Sequence, residues 1–337
     1  MDEAPRVEEI HLPRTPEAMA SLSARERPAI LRGLVADWPV VRAAREGQAA
    51  LLDYLLRFDA GRIVPIAAGT PGIGGRIFYN EDFTGLNVDR GRAHFASFLR
   101  EVDRQGREDP APLIYMASTD IPDAAPGFEA ENRVDFEGLR PLESLWIGTP
   151  SRIAAHNDLP MNLACIAAGT RRFTLFPPHQ TANLYPGPFE LTPAGRPVSL
   201  VDFHAPDLSR FPLFAEAMGE AAVADLEPGD ALYIPSMWWH HVEATAPFNI
   251  LVNYWWRSVP AWLGTPQDVL HHAMLTLRDM PANEREIWRD LFDHYVFRND
   301  PQAATAHIPP HARGMLDPMT EEMARRMRAF LLNRLNR

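Results

Sequence analysis

The triplet His156-Asn157-Asp158 sets an imidazole and a carboxylate two residues apart. On an extended segment side chains alternate with period two, so both groups fall on one face. A third ligand from another strand would complete a face of two imidazoles and one carboxylate. Such a triad leaves three positions open on an octahedral Fe(II), enough for a bidentate co-substrate and dioxygen. His-x-Asp alone is a common triplet, and its bland reading is a pair of surface or turn residues. The third ligand has a candidate further along. Pro228-Gly229-Asp230 reads as a turn and Ala231-Leu232-Tyr233-Ile234-Pro235 as an apolar strand, followed by Trp238-Trp239-His240-His241-Val242-Glu243. This puts a histidine at a strand start. Neighbours on a strand face opposite ways, so only one of His240 and His241 can join His156 and Asp158.

These residues need a β-rich frame, and the chain offers one. From about Leu113 to Trp256, short apolar or alternating runs follow one another: Leu113–Ala117, Leu163–Ala167, Arg172–Phe176, Ala231–Ile234 and Ile250–Trp255. Gly169, Pro177-Pro178, Pro228-Gly229 and Pro247 punctuate them, the pattern of an all-β barrel or sandwich. The preceding part mixes helix and strand. Thr15 is read as an N-cap with Pro16 at the first helical position, Pro28–Leu34 as a short strand, and 40–56 as one helix after Trp38-Pro39. Gly72-Ile73-Gly74-Gly75 lacks the spacing of a phosphate loop and reads as a turn. After Pro260 the pattern turns helical. Val269, Leu270, Ala273, Met274 and Leu277 make one apolar stripe; Ile287, Trp288, Leu291, Phe292 and Tyr295 make a second, opened by Asn283 and Glu286 as a capping box. A third helix is expected from Thr320 to about Leu335. The expected organisation is an α/β part over 1–110, a β core over 111–260, and helices over 261–337 that pack on the core or on a second subunit.

Composition narrows the function. The net charge of −11 argues against nonspecific nucleic-acid binding. All 33 basic residues are arginine, which removes Schiff-base chemistry on lysine. Cys165 is the single cysteine, so no internal disulfide forms. No run approaches the roughly 18 apolar residues of a membrane span. The charged start Met1-Asp2-Glu3-Ala4-Pro5-Arg6 has no apolar signal region, and the expected location is the cytoplasm.

Several stretches together carry a resemblance: His156 to Pro178, Val201-Asp202-Phe203, Pro206-Asp207, Arg210-Phe211-Pro212-Leu213-Phe214, Gly229-Asp230 to Glu243, and Asn253-Tyr254-Trp255. In order and spacing they resemble the JmjC-type cupin-like Fe(II)/2-oxoglutarate-dependent oxygenases, most nearly the asparaginyl hydroxylases among them. The resemblance implies a mainly β fold with flanking helices around a double-stranded β-helix (jelly-roll) core. It implies Fe(II) on His156, Asp158 and His240, with His241 facing outward or packing behind the ligands. It implies 2-oxoglutarate as co-substrate with O2. Asn162 and Asn253 would lie near the metal-bound end of that acid, and Tyr115 would donate to the far carboxylate. Two positions depart from the pattern. Arg171 stands where the family has lysine; its guanidinium can grip a carboxylate through two N–H groups. Ile153 stands where the family has a hydroxyl-bearing threonine. Trp255, Trp239 and Ile153 are expected in the substrate pocket, with the 180–215 loop as a lid. The implied reaction hydroxylates a C–H bond of a peptide side chain or small metabolite, releasing succinate and CO2; demethylation ranks lower. The competing readings are a cupin metalloenzyme that does not use 2-oxoglutarate and a non-catalytic cupin-like binding protein.

Overall fold

The computed structural model describes residues 4–298, 300 and 303–336. The chain divides into two compact units, the first running to Arg257 and the second from Ser258 onward.

The first unit is built on two sheets. Its strands in chain order are β1 (Glu9–Ile10), β2 (Ala29–Leu31), β3 (Ile63–Gly69), β4 (Arg76–Ile77), β5 (Asp89–His94), β6 (Leu113–Asp120), β7 (Leu142–Gly148), β8 (Ser151–Asn157), β9 (Met161–Ala168), β10 (Arg171–Phe176), β11 (Ala222–Leu226), β12 (Ala231–Ile234), β13 (Trp239–Ala244) and β14 (Asn249–Trp256). One sheet has nine strands in the order β1-β2-β12-β9-β14-β7-β6-β3-β5; the other has five, β11-β10-β13-β8-β4. The expected jelly-roll core is present, and the first 110 residues supply strands to both of its sheets. Asp230 ties this together: its carboxylate accepts from Gly33 N and from Arg32 Nη1, fastening β12 to the β2 turn.

Burial explains the apolar runs. β9 and β14 are covered on both faces, so their sequences are nearly continuous in apolar residues. Leu163, Cys165, Ala167, Ile250, Val252 and Tyr254 face a helical layer. Ala164, Ile166 and Leu251 face the other sheet, where they meet Phe173, Leu175 and Val242. That helical layer contains α1 (Pro16–Ser21), α2 (Pro39–Glu46), α3 (Gln48–Leu56) and α4 (Phe95–Gln105). The short helices α5 (Ile121–Ala124) and α6 (Phe128–Glu131) follow β6, and α7 (Phe214–Gly219) precedes β11.

Local differences from the sequence reading have local causes. Thr15 caps α1 as expected, accepting from Ala18 N. The helix expected over 40–56 is two helices, broken at Gly47 with φ +126°, where a side chain would be strained. β7 and β11 are absent from the apolar runs because Glu143, Ser144 and Asp225 interrupt them. In the second unit, α8 (Pro266–Thr276) and α10 (Glu321–Leu335) are capped by the Thr265 and Thr320 hydroxyls. The capping box expected at Asn283 and Glu286 is not formed. α9 (Ala282–Phe292) has Pro281 as its N-cap, which leaves Asn283 inside the helix. No described helix is long and apolar enough to cross a membrane.

The β9–β10 turn depends on Gly169, which has φ +72°. A Cβ there would collide with the Asn249 side chain and come within 2.6 Å of the Phe248 carbonyl. Gly169→Ala is therefore expected to cost roughly 1–3 kcal/mol in urea unfolding. Gly219→Ala, where a Cβ meets nothing within 4 Å, should leave the midpoint near that of the parent.

Candidate metal centre and co-substrate cavity

β8 and β13 run antiparallel with His156 directly opposite His240. The ring centroids lie 4.4 Å apart. The register then shifts, since Val242 pairs with Ile153. Two residues of β8, Ala154 and Ala155, are thus opposed by one residue of β13, a β-bulge. The bulge has a direct consequence. Ile153 and His156 are an odd number of residues apart and would face opposite ways on a regular strand. Both line the same cavity here, while Ala154 and Ala155 pack on the other side. Asp158 follows the last residue of β8, in a loop held by Met237 N donating to the Asp158 carbonyl at 2.8 Å.

The three side chains are brought together. One ligand atom from each of His156, Asp158 and His240 lies within 4.8 Å of the others. His240 Nε2 is 3.6 Å from Asp158 Oδ2. Each imidazole is oriented by its own strand: His156 Nδ1 donates to the Ala154 carbonyl at 2.9 Å, and His240 Nδ1 to the Trp238 carbonyl at 3.1 Å. A carbonyl only accepts, so the proton sits on Nδ1 and Nε2 keeps its lone pair. That is the tautomer an imidazole needs to bind a divalent metal through Nε2. Burial, aided by the neighbouring His156, pushes the His240 pKa down to about 4 despite Asp158. The donor set therefore fits a metal ion of the Fe(II) kind.

His241 and Trp239 lie on the opposite face from His240. His241 is buried and stacks on Phe203, with ring centroids 4.6 Å apart; burial holds it neutral, its pKa pushed down to about 3. Trp239 was expected in the substrate pocket and is not there. It sits in a cluster with Phe176, Phe211 and Phe214, and its indole N–H donates to Thr181 Oγ1 at 2.9 Å. Its place beside His240 on a regular stretch of strand requires this.

The cavity next to the triad measures about 320 Å³ and is lined mostly by apolar side chains. Arg171 enters it from β10, on the same strand face as Phe173 and Leu175. Arg172 points the other way, to Asp225. Arg171 is 4% exposed, and its guanidinium lies in the electrostatic reach of the Tyr115 hydroxyl. Its Nε and Nη2 are buried with no hydrogen-bond partner among the described residues. Burial lowers its pKa from the usual arginine value, and raises that of Tyr115 to about 12. Isolating a cation in this way costs several kcal/mol unless an anion joins it. Asn253 and Asn162 lie across the cavity wall. Asn253 Nδ2 donates to Asn162 Oδ1 at 3.4 Å, and Asn253 Oδ1 accepts from Trp146 Nε1 at 2.7 Å. Trp255 and Ile153 also line the cavity, and Pro193, Ala194 and Gly195 border it from the loop expected as a lid. Trp146 was missed in the sequence. Its signal was its place on β7 opposite Leu251, a strand interrupted by polar residues and so not recognised.

Comparison with known proteins agrees with this geometry. The family described as the cupin-like domain matches residues 15–261, and the chain belongs to it. Among its relatives, the human HSPB1-associated protein 1 is 30% identical over 249 residues, covering 68% of this chain and 48% of that protein. The Drosophila melanogaster Jumonji C domain-containing protein 5 is 26% identical over 242 residues, covering 68% and 55%. The Danio rerio tRNA wybutosine-synthesizing protein 5 is 31% identical over 166 residues, covering 49% and 46%. The chain spans about half the length of these curated relatives. The JmjC-type resemblance and the jelly-roll core thus stand on both sequence and fold.

The separation of His240 from His241 can be checked directly. Isothermal titration with Mn(II) should give one site per chain in the parent and in His241→Gln. Binding should weaken at least about a hundredfold in His240→Gln and Asp158→Ala, the scale of losing one of three ligands.

Proposed function

We propose that this protein is an Fe(II)- and 2-oxoglutarate-dependent oxygenase that hydroxylates a C–H bond. The observation that carries the reading is Arg171: a buried guanidinium with two nitrogen donors unpaired among the described residues, in the same cavity as a two-histidine, one-carboxylate triad. A dicarboxylate with a 2-oxo group suits both ends. Its oxo-acid end would meet a metal on His156, Asp158 and His240. Its other carboxylate would take two hydrogen bonds from Arg171. When bound, iron with this acid supplies dioxygen activation coupled to release of succinate and CO2.

The residues of the chain do the rest. His156 and His240 hold their Nε2 lone pairs toward the metal position. Tyr115 lies in the electrostatic reach of the Arg171 guanidinium and, with burial holding it protonated, can add its own O–H to the carboxylate. Arg171 stays charged even when buried, so it can neutralise the acid without a proton transfer. Ile153 supplies surface but no hydrogen bond at the wall where the family carries threonine. Trp146 fixes the Asn253 amide, which in turn orients Asn162. Apolar walls from Phe173, Val242, Leu251 and Trp255 limit water around the reacting groups. Pro193, Ala194 and Gly195 supply the loop side of the cavity wall, where a substrate would meet the site. Protein side chains and small metabolites are the substrate classes we favour. One relative is named for tRNA modification, so RNA joins the screen.

Purified protein with Fe(II), ascorbate and 2-oxoglutarate should form succinate even without a second substrate, and Asp158→Ala should abolish it. Absence of succinate, together with no 2-oxoglutarate binding to the Mn(II) form, would overturn the proposal. Arg171→Met separates cavity from fold. It replaces a buried cation by an apolar chain, so thermal unfolding without added ligand should hold or improve, by up to about 1–4 kcal/mol. The stabilisation that 2-oxoglutarate gives the parent should vanish in this variant.

A further inference from the structure

The nine-stranded sheet continues past the cavity wall. β6 carries Tyr115 and Ala117 into the cavity, and the sheet runs on through β3 to β5, whose outer edge has no partner strand among the described residues. The registers fix which side chains share the cavity's face. Ala67 lies opposite Tyr115, and Arg90 opposite Ala67. With period two, Ile63 and Pro65 share that face on β3, and Arg92 and His94 share it on β5. Val64, Ile66 and Ala93 face the helical layer instead. The result is a shelf beside the cavity: Ile63 is 51% exposed, and Pro65, Arg90, Arg92 and His94 are exposed too.

The backbone of this edge follows from two observations. Phe95 N donates to the Arg62 carbonyl, so by alternation along the ladder Ala93, Gly91 and Asp89 also exchange hydrogen bonds with β3. Pro65, which has no N–H, falls opposite Arg92 in a pair that needs none. Arg90, Arg92 and His94 therefore turn their own N–H and C=O groups outward. No hydrogen bond or ion pair joins Arg90 or Arg92 to another described residue. Arginines elsewhere in the unit are held, Arg14 by Asp37, Arg57 by Glu131 and Arg104 by Glu101. The nearby carboxylates are placed otherwise. Asp89 and Glu101 lie on the helical face, and Asp82 accepts from Thr84. Glu81, in the loop before β5, and Asp120, at the end of β6, pair with neither arginine. Arg62, ahead of β3, and Arg100, on α4, add further positive charge nearby.

We propose that the β5 edge docks an extended acidic segment of a protein substrate as one more strand of the sheet. Backbone donors and acceptors repeating at strand spacing are matched by another peptide. Glutamates or aspartates on alternate residues of that peptide would fall beside Arg90 and Arg92, where a protein of net charge −11 offers uncompensated cations. A nucleic acid could use the cations but would leave the edge unpaired, and the shelf offers no phenylalanine, tyrosine or tryptophan for bases to stack on. Charged side chains on an edge deter pairing with a neutral strand; the same charges admit an acidic one. A docked strand would lie three strand spacings, about 14 Å, from β6. At about 3.3 Å per residue, roughly four further residues bring its chain to the cavity. That the docked protein is the substrate rests on the oxygenase reading; the docking itself does not.

The probe is a fluorescent peptide of alternating glutamate and threonine, as long as β5. Its anisotropy with the full chain should saturate, with a Kd on the order of 10–100 µM. A lysine-for-glutamate peptide should bind at least about tenfold more weakly, and so should the original peptide to Arg90→Thr/Arg92→Thr. The double variant should keep the parent's thermal midpoint and Mn(II) binding, showing that its fold is intact. Alternate amides of a docked strand face β5, so N-methylation of one alternate set should abolish binding and of the other should spare it. No saturable binding up to about 1 mM would overturn the proposal. So would binding that survives the double substitution, or an equal effect of the two methylated sets. Oligouridylate binding more tightly than the peptide, and lost in the same variant, would give the shelf to a nucleic acid. None of these measurements reads turnover. Failure of the oxygenase reading leaves them standing, and failure of the docking leaves succinate formation standing.

Discussion

The register of β8 against β13 is the constraint on which the site depends. It sets His156 opposite His240, and the bulge at Ala154 and Ala155 then turns Ile153 to the same side. Without that extra residue, either the histidine or the isoleucine would face the outer layer. The bulge spends local hydrogen bonding to bring a wall residue and a ligand residue together. It lies beside a candidate reactive centre, where such irregularities concentrate.

The same alternation separates the two arginines of β10. Arg171 faces inward without a carboxylate partner among the described residues, and Arg172 faces outward to Asp225, whose pKa is held down to about 2 by Arg172 and Arg6. Two neighbouring residues of one type thus have different electrostatic situations. The outer cation is partnered in a half-exposed pair, where ion pairs contribute little. The inner one is desolvated and keeps two donors open, where an arriving anion gains most. With no lysine in the chain, the fixed guanidinium fork serves at a position where the resemblance expects an ammonium.

Much of this was legible in the sequence because one rule, period two, governs it. The rule separates His240 from His241 and Arg171 from Arg172, although choosing which histidine faces the metal needed the family resemblance. It also places Trp239 with His241, and the expectation of Trp239 in the pocket ignored that. What the sequence concealed was irregularity and polarity. The Ala154–Ala155 bulge leaves no mark in residue types. β7 carries Glu143 and Ser144 among its apolar residues, so Trp146 was not seen as a wall residue. Asp230 was noticed as part of a motif, while its work, bonding Arg32 and Gly33, is long-range and invisible to local pattern. In the helices, Gly47 broke a segment expected to be continuous, and Pro281 moved the start of α9 ahead of the expected cap.

The loop between β10 and β11 is pinned at its base. Gly187 N donates to the Val198 carbonyl, Ser199 N to the Ala155 carbonyl, and Leu200 N to the Tyr185 carbonyl. Beyond the pin, Asp202 lies 3.5 Å from Arg76, Phe203 stacks on His241, and His204 bonds Glu243. The segment between Gly187 and Val198, which carries the cavity-bordering Pro193–Gly195, is therefore an excursion closed by its own stem. Closure entropy grows only with the logarithm of length, so such an excursion can be lengthened or rewritten at small cost to the fold. Chemistry and selectivity are then separable inheritances. The strands hold the triad and Arg171, and an excursion hung from a single clasp can be exchanged without disturbing them.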